Sequence, residues 1–153
     1  MKLRIASSPH DWKTVDTLVR EYLEFLPFHV DFQDIETELT TLEVEYGPPD
    51  GFALIASRDE TDVGMVALHR FSEHDAEMKR MFVRPEGRGF GVGRALAERT
   101  VATASALGYQ RILLDTVTFL TAAIGLYQSL GFVEIEPYRH NPLAEARFYA
   151  LTL

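Results

Sequence analysis

Four glycines, Gly87, Gly89, Gly91 and Gly93, stand at every second position of RPEGRGFGVGRAL (84–96), with Arg84, Arg88 and Arg94 among them. Glycine loses more backbone freedom on folding than any other residue, so such a run costs stability unless a turn or a ligand needs it. It follows a strand-like segment, AEMKRMFV (76–83), and leads into a helix-like one that reaches about Leu107. Strand, glycines, helix is an arrangement suited to phosphate. Unpaired N–H groups at a helix start point outward, and the helix dipole favours an anion there. Each such interaction contributes about 0.3–1 kcal/mol, up to about 2 when sheltered, so several on one pyrophosphate offset the glycine entropy.

Spacing narrows the choice. A nucleotide P-loop needs G-x-x-x-x-G-K-[ST], and no Lys-Ser or Lys-Thr follows these glycines. A dinucleotide site needs G-x-G-x-x-G, but the third place is Val92, Arg94 or Leu96 counted from Gly87, Gly89 or Gly91. Asp115 does end the next strand, which keeps the dinucleotide reading as a distant alternative. No G-x-S-x-G elbow is present. The histidines, His10, His29, His69, His74 and His140, show no metal-ligand spacing, so no metal is expected. With no cysteine, disulfides, thiolate metal sites and a cysteine nucleophile are all excluded.

The elements that position this loop read as mixed α/β. LRIA (3–6) is a short strand. Ser8 then caps a helix with Pro9 at its first position and Asp11 in the capping-box place. Val15, Leu18, Val19, Tyr22 and Leu26 follow at helical spacing, and a second helix is expected around 32–45. GPPDG (47–51) breaks the chain before a hairpin of FALIASR (52–58) and VGMVALHRF (63–71). After the glycines, Val92, Leu96, Thr103 and Leu107 are expected to share one helix face. RILLDTV (111–117) is a buried strand, and FLTAAIGLYQSL (119–130) is a helix closed by Gly131. FVEIE (132–136) and ARFYALTL (146–153) close a sheet of about six or seven strands.

The 153 residues fit one domain, 1–153, with 46% hydrophobic residues to build a core. There is no apolar run of membrane-span or signal-peptide length, so a cytoplasmic protein with no membrane partner is expected. Net charge is −8, a poor match to nucleic acid. Lys79, Arg80, Arg84, Arg88, Arg94 and Arg99 nonetheless cluster in sequence, opposed only by Glu86 and Glu98. A basic patch on an acidic protein suits a small anionic ligand.

Arg88-Gly89-Phe90-Gly91-Val92-Gly93 matches [Q/R]-x-x-G-x-[G/A], the pyrophosphate loop of the GCN5-related N-acetyltransferase (GNAT) superfamily. EMKRMFVRPEGRGFGVGRAL resembles that family's fourth strand, loop and third helix, and LYQSLGF (126–132) resembles the helix-to-strand segment that ends its core. The resemblance covers essentially the whole chain. It implies a mixed, mostly antiparallel sheet whose fourth and fifth strands splay apart, with about four helices, and acetyl-CoA lying in the gap. The pantetheine arm would pair with the backbone of Met81, Phe82 and Val83. The pyrophosphate would sit on Arg88, Gly89, Phe90, Gly91, Val92, Gly93 and Arg94, with Gly91 and Gly93 allowing close approach.

The resemblance also implies two catalytic residues. Tyr127 matches the tyrosine that hydrogen-bonds the CoA sulfur as it leaves. Glu77 lies eleven positions before Arg88, where some members carry a catalytic glutamate as base. One departure stands out. Many relatives have Asn seven residues before the tyrosine, where this chain has Leu120, so the pantetheine contact is expected either from elsewhere, such as Thr118 or Thr121, or to be weaker.

The acceptor pocket implied is FLPFHVDF (25–32) with PYRHNPL (137–143), where Phe28, His29, Tyr138, Arg139 and Asn141 shape it and Arg139 and His140 attract a carboxylate. The expected activity is acetyl transfer from acetyl-CoA to a primary amine of a small molecule. The alternatives are a protein N-terminus or lysine as acceptor, or an acyl-CoA sensor without turnover. A homodimer is the family-level expectation.

Overall fold

A computed structural model of the chain describes residues 1–28 and 32–153. His29 lies outside them. The order is β1 (Lys2–Ile5), α1 (Pro9–Phe25), α2 (Phe32–Thr40), α3 (Leu42–Tyr46), β2 (Phe52–Arg58), β3 (Thr61–Arg70), β4 (Asp75–Val83), α4 (Val92–Ala106), β5 (Arg111–Val117), α5 (Thr121–Ser129), β6 (Val133–Ile135) and β7 (Ala146–Thr152). A 3-10 turn, Pro85–Gly87, links β4 to the glycine loop. One seven-stranded sheet runs β1-β2-β3-β4-β5-β7-β6. Every pairing is antiparallel except β4 with β5.

Helices cover both faces. Phe52, Leu54 and Ala56 of β2 join Val66 and Leu68 of β3 in the core under α4 and α5. Ala53 and Ile55 join Met65 and Ala67 under α1 and α3. Strands buried on both sides read as continuous apolar runs, which is why FALIASR and VGMVALHRF barely alternate. The cap on α1 forms as expected: Asp11 N–H donates to Ser8 Oγ at 3.1 Å, and the Asp11 carboxylate accepts from the Ser8 and Ser7 N–H groups. Arg4 closes the corner by donating to Asp11 at 3.0 Å.

Two helical expectations are corrected. The helix expected over 32–45 is two helices, broken at Thr41. The hydroxyls of Thr40 and Thr41 both donate to the Thr37 carbonyl, at 2.8 and 2.9 Å, while the Thr41 N–H turns to Glu38. Side-chain hydroxyls that compete for a helix carbonyl loosen the next turn. On α4 the buried stripe is Val92, Leu96, Thr100 and Ala104, and Leu107 is 45% exposed. Thr100 enters the core because its hydroxyl donates to the Leu96 carbonyl at 2.8 Å. Among the described residues, no helix is long and apolar enough to cross a membrane.

Candidate active site

β4 and β5 pair over three positions only, Asp75 with Arg111 to Glu77 with Leu113, and then part. A bulge in β4 follows the point of separation. Arg80 has a left-handed backbone (φ 61°), and the β3–β4 register slips between Met65 and Ala67. Such a conformation is strained for a non-glycine residue and collects at functional sites. The bulge also changes which side chains share a face. Lys79 and Arg80 would point to opposite faces of a regular strand, yet Met78 and Met81 on either side both pack into the core under α4 and α5, which leaves Lys79 and Arg80 together on the other face.

The widening gap opens on a cleft of about 370 Å³. Met81, Phe82 and Val83 line one wall, and Leu120, Thr121 and Leu126 line the other. Thr121 therefore reaches the cleft, whereas Thr118 does not border it. Tyr22, Phe25 and Phe119 close one side, and Arg88 and Gly93 lie at the glycine loop.

The four glycines separate by cause. Gly87 is a packing glycine, because a Cβ there would stand 2.9 Å from Val63 Cβ. Gly89 and Gly91 take left-handed backbones, φ 83° and 76°, which side-chain-bearing residues rarely adopt. Gly93 needs neither: a Cβ would meet Leu126 and Val83 side chains at ordinary distances of 3.6 and 3.9 Å. Among the described residues, the N–H groups of Gly89, Phe90, Gly91, Val92, Gly93 and Arg94 have no acceptor. This row of unpaired donors at the start of a fifteen-residue helix fits a pyrophosphate.

The basic patch expected from sequence does not assemble. Lys79 and Arg80 lie at the slot, and Arg80 donates to Glu38 from Nε and Nη2, both at 2.9 Å. Arg84 is taken up by Glu21 at 2.8 and 2.6 Å. Arg94 donates to Ser129 at 2.8 Å, and Phe90 lies under the Arg58 guanidinium at 3.5 Å. Arg88 alone of this group borders the cleft, bonded through Nε to the Val83 carbonyl at 3.0 Å.

Tyr127 lines the slot with Tyr22, Lys79, Arg80 and Asp115. Among the described residues its hydroxyl has no hydrogen-bond partner, and burial pushes its pKa well above the usual phenol value. It is therefore a persistent donor aimed at the gap between the strands. Glu77 stands elsewhere. It is fully buried and accepts from His69 Nε2 at 2.7 Å, Tyr138 at 2.7 Å and Arg139 at 2.6 Å. Burial alone would raise its pKa, but these donors and the Lys79 charge outweigh it and hold the carboxyl low. It borders neither the slot nor the cleft.

A third space of about 100 Å³ adjoins, lined by Tyr22, Phe28, Arg80, Asp115 and Asn141 among others. Of the residues expected to shape an acceptor pocket, Phe28 and Asn141 line this space, whereas Tyr138 and Arg139 do not. Asp115, Tyr22 and Arg80 were not expected there. Asp115 borders both this chamber and the slot, and its carboxylate accepts from Asn141 Nδ2 at 3.2 Å. Its signal in the sequence is one acid directly after the apolar run Ile112-Leu113-Leu114 of RILLDTV.

A sheet parted beside a row of free amides is the architecture of an acyl-CoA acyltransferase. The Acetyltransferase (GNAT) family profile matches residues 13–132. The chain belongs to this family and is an acetyl-CoA-dependent N-acetyltransferase of its type. It is 40% identical to an uncharacterised N-acetyltransferase of Schizosaccharomyces pombe, over 95% of this chain and 90% of that one. It is 34% identical to human N-acetylaspartate synthetase over 75% of this chain and 36% of that longer one. The crystal structure of an acetyltransferase from Streptococcus agalactiae shares the fold, with a TM-score of 0.81 at 24% identity, covering 99% and 98% of the two chains.

Proposed function

We propose that one domain spanning 1–153 moves the acetyl group of acetyl-CoA directly to the primary amine of a small molecule. The observation that carries this reading is the slot shared by Tyr127 and Asp115, which adjoins the cleft on one side and the chamber on the other. The loop amides from Gly89 to Arg94 hold the pyrophosphate, and Met81 to Val83 offer the free edge of β4 to the pantetheine. Acetyl-CoA supplies the acetyl group as a thioester, whose carbon the amine attacks and whose sulfur leaves.

The residues of the slot divide the remaining work. An alkylamine with a pKa of about 10.4 is neutral in roughly one molecule in 2,500 at pH 7, so it must shed a proton before it attacks. Asp115 draws the ammonium into the slot and accepts its proton directly or through water. Tyr127 donates to the sulfur as charge develops there. Its raised pKa makes full transfer uphill, so the hydroxyl stabilises the thiolate as a hydrogen-bond donor. We assign Glu77 a positioning role, through Tyr138 and Arg139, in place of contact with the amine.

The name of the human relative gives N-acetylaspartate as a product, which supports a small acceptor for this chain. The unpartnered Tyr127 hydroxyl speaks against a sensor without turnover, which needs no donor at the sulfur. CoA release with small amines, N-terminal peptides and lysine peptides tests the reading. Small amines are expected to give the highest kcat/KM. Faster turnover of peptides overturns the small-molecule acceptor, and acetyl-CoA binding without CoA release from any amine supports the sensor.

A further inference from the structure

Two cations, Lys79 and Arg80, line the slot with donors left over, and a third, Arg139, acts on Lys79 from the loop between β6 and β7. Among the described residues, Lys79 Nζ has no hydrogen-bond or ion-pair partner. Arg80 commits Nε and Nη2 to Glu38, which leaves Nη1 free. Arg139 commits Nη2 to Glu77, while its Nε is buried without a partner. Glu38 and Glu77 are therefore each spent on one arginine, and Lys79 has no carboxylate of its own. Of these donors only Arg139 Nε is sealed from solvent, whereas Lys79 and Arg80 line the open slot, where an anion can reach their unused N–H groups.

The opposite charge lies across the same slot. Asp115 borders it together with Lys79 and Arg80 and has only Asn141, a neutral amide, on its carboxylate. The site thus presents an anion-seeking side and a cation-seeking side a few side chains apart. A zwitterion complements both at once, whereas a plain amine leaves the cations unmet. The strained bulge at Arg80 fits this role, since it is what turns Lys79 and Arg80 toward one space. Burial first, and then the charge of Arg80, holds the Lys79 ammonium below its usual pKa, with Arg139 adding to the effect. An incoming carboxylate relieves that repulsion.

We infer that the acceptor is a free amino acid or a similarly small amino-carboxylate, its carboxylate held by Lys79 and Arg80 and its amine by Asp115. This rests on the acetyl-transfer reading above and names the substrate class of the same site.

The test compares L-aspartate, L-alanine and L-serine, each against its α-carboxamide, in a CoA-release assay. The carboxamide loses the charge and also has the less basic amine, so without a carboxylate site it is the better acceptor at pH 7. At least one free acid is expected to exceed its carboxamide in kcat/KM by about 10- to 100-fold, the effect of a charged hydrogen bond. Lys79→Met is expected to collapse that ratio toward one, chiefly by raising KM for the acid. The thermal shift with acetyl-CoA is read on the same samples, so a variant that fails to fold declares itself. In that case Lys79→Gln takes its place and must collapse the same ratio. Carboxamides that match or outrun their acids, or a ratio unmoved in the variants, overturn the inference and leave acetyl transfer standing. Absence of both an acetyl-CoA shift and CoA release in the wild-type chain overturns the two together.

Discussion

Arg139 donates from Nη2 to Glu77 Oε1 at 2.6 Å, joining the loop between β6 and β7 to the middle of the sheet. Tyr138, its neighbour, donates to the other oxygen at 2.7 Å. His69 bridges the same carboxylate to Glu45 of α3, with both of its ring contacts at 2.7 Å. One buried glutamate therefore ties α3, β3 and β4 to the loop that adjoins the chamber proposed for the acceptor. Glu77→Gln keeps the shape and removes the charge. It is expected to cost about 3 kcal/mol, the low end for removing one partner of a buried ion pair. For a chain of this size that lowers Tm by about 6–12 °C. A positioning role adds a kinetic signature: KM for the amine rises while KM for acetyl-CoA stays within about twofold.

The same carboxylate sets an acid limit. Its folded pKa lies below its ordinary value of 4.5, so its stabilisation is fully present above pH 4.5. It is lost as pH falls through 4.5 and on through the folded value. Glu38, Asp75 and Asp11, also held low by arginine partners or backbone donors, act in the same direction. Denaturant melts between pH 7 and pH 3 are expected to show stability falling below pH 4.5, with a shallower fall in Glu77→Gln.

Tyr127→Phe removes one oxygen that has no partner among the described residues, so stability and acetyl-CoA affinity are expected to change little. Loss of the donor proposed for the leaving sulfur is expected to lower kcat by about 10²-fold or more. Because the phenol pKa is raised, the wild-type enzyme keeps this donor through pH 10, and no alkaline loss of kcat attributable to Tyr127 is expected below that. Pre-steady-state CoA release across pH 6–10 in both proteins checks the two statements together.

The loop proposed to hold the donor was legible as a loop because it is local. A pyrophosphate loop is one contiguous run of glycines between a strand and a helix, and its spacing survives in the linear sequence. The chamber proposed for the acceptor is not local. Asp115, Tyr22 and Arg80 come from β5, α1 and β4 and meet only because the sheet parts. A one-residue bulge at Arg80 turned two adjacent cations onto one face, which alternation along a strand does not predict. Glu77 looked available in sequence, and only its three donors reveal that its charge is already committed. The basic run from Lys79 to Arg99 failed as a patch for the same reason, since charge adjacency in sequence says nothing about partners such as Glu21 and Glu38.

Gly93→Ala separates binding from folding. The added Cβ meets only Leu126 and Val83 side chains, at 3.6 and 3.9 Å, and alanine is the better helix former by about 1 kcal/mol. The variant is therefore expected to melt higher than the wild type, yet to raise KM for acetyl-CoA about tenfold as the methyl group intrudes on the cradle. Gly91→Ala, at φ 76°, is expected to melt lower by an amount corresponding to about 1–2 kcal/mol. A Gly93→Ala protein with unchanged acetyl-CoA affinity removes Gly93 from the cradle.

Arg84 and Arg88 are four residues apart, and the structure gives them different tasks. Arg84 is held by both oxygens of Glu21 and by the Asp62 carbonyl, away from the cleft lining. Arg88 borders the cleft with one guanidinium face over Phe25 at 4.8 Å. Arg84→Ala is expected to cost about 1 kcal/mol of stability, the scale of a partly exposed ion pair, and to leave KM for acetyl-CoA unchanged. Arg88→Ala is expected to raise that KM about tenfold, as loss of one charged contact to a phosphate does, with little change in Tm. Added salt separates charge from packing: between 0.05 and 0.5 M the Arg88 difference shrinks as screening weakens the wild-type contact. A salt-independent difference assigns Arg88 instead to packing on Phe25 and to the Val83 carbonyl it caps.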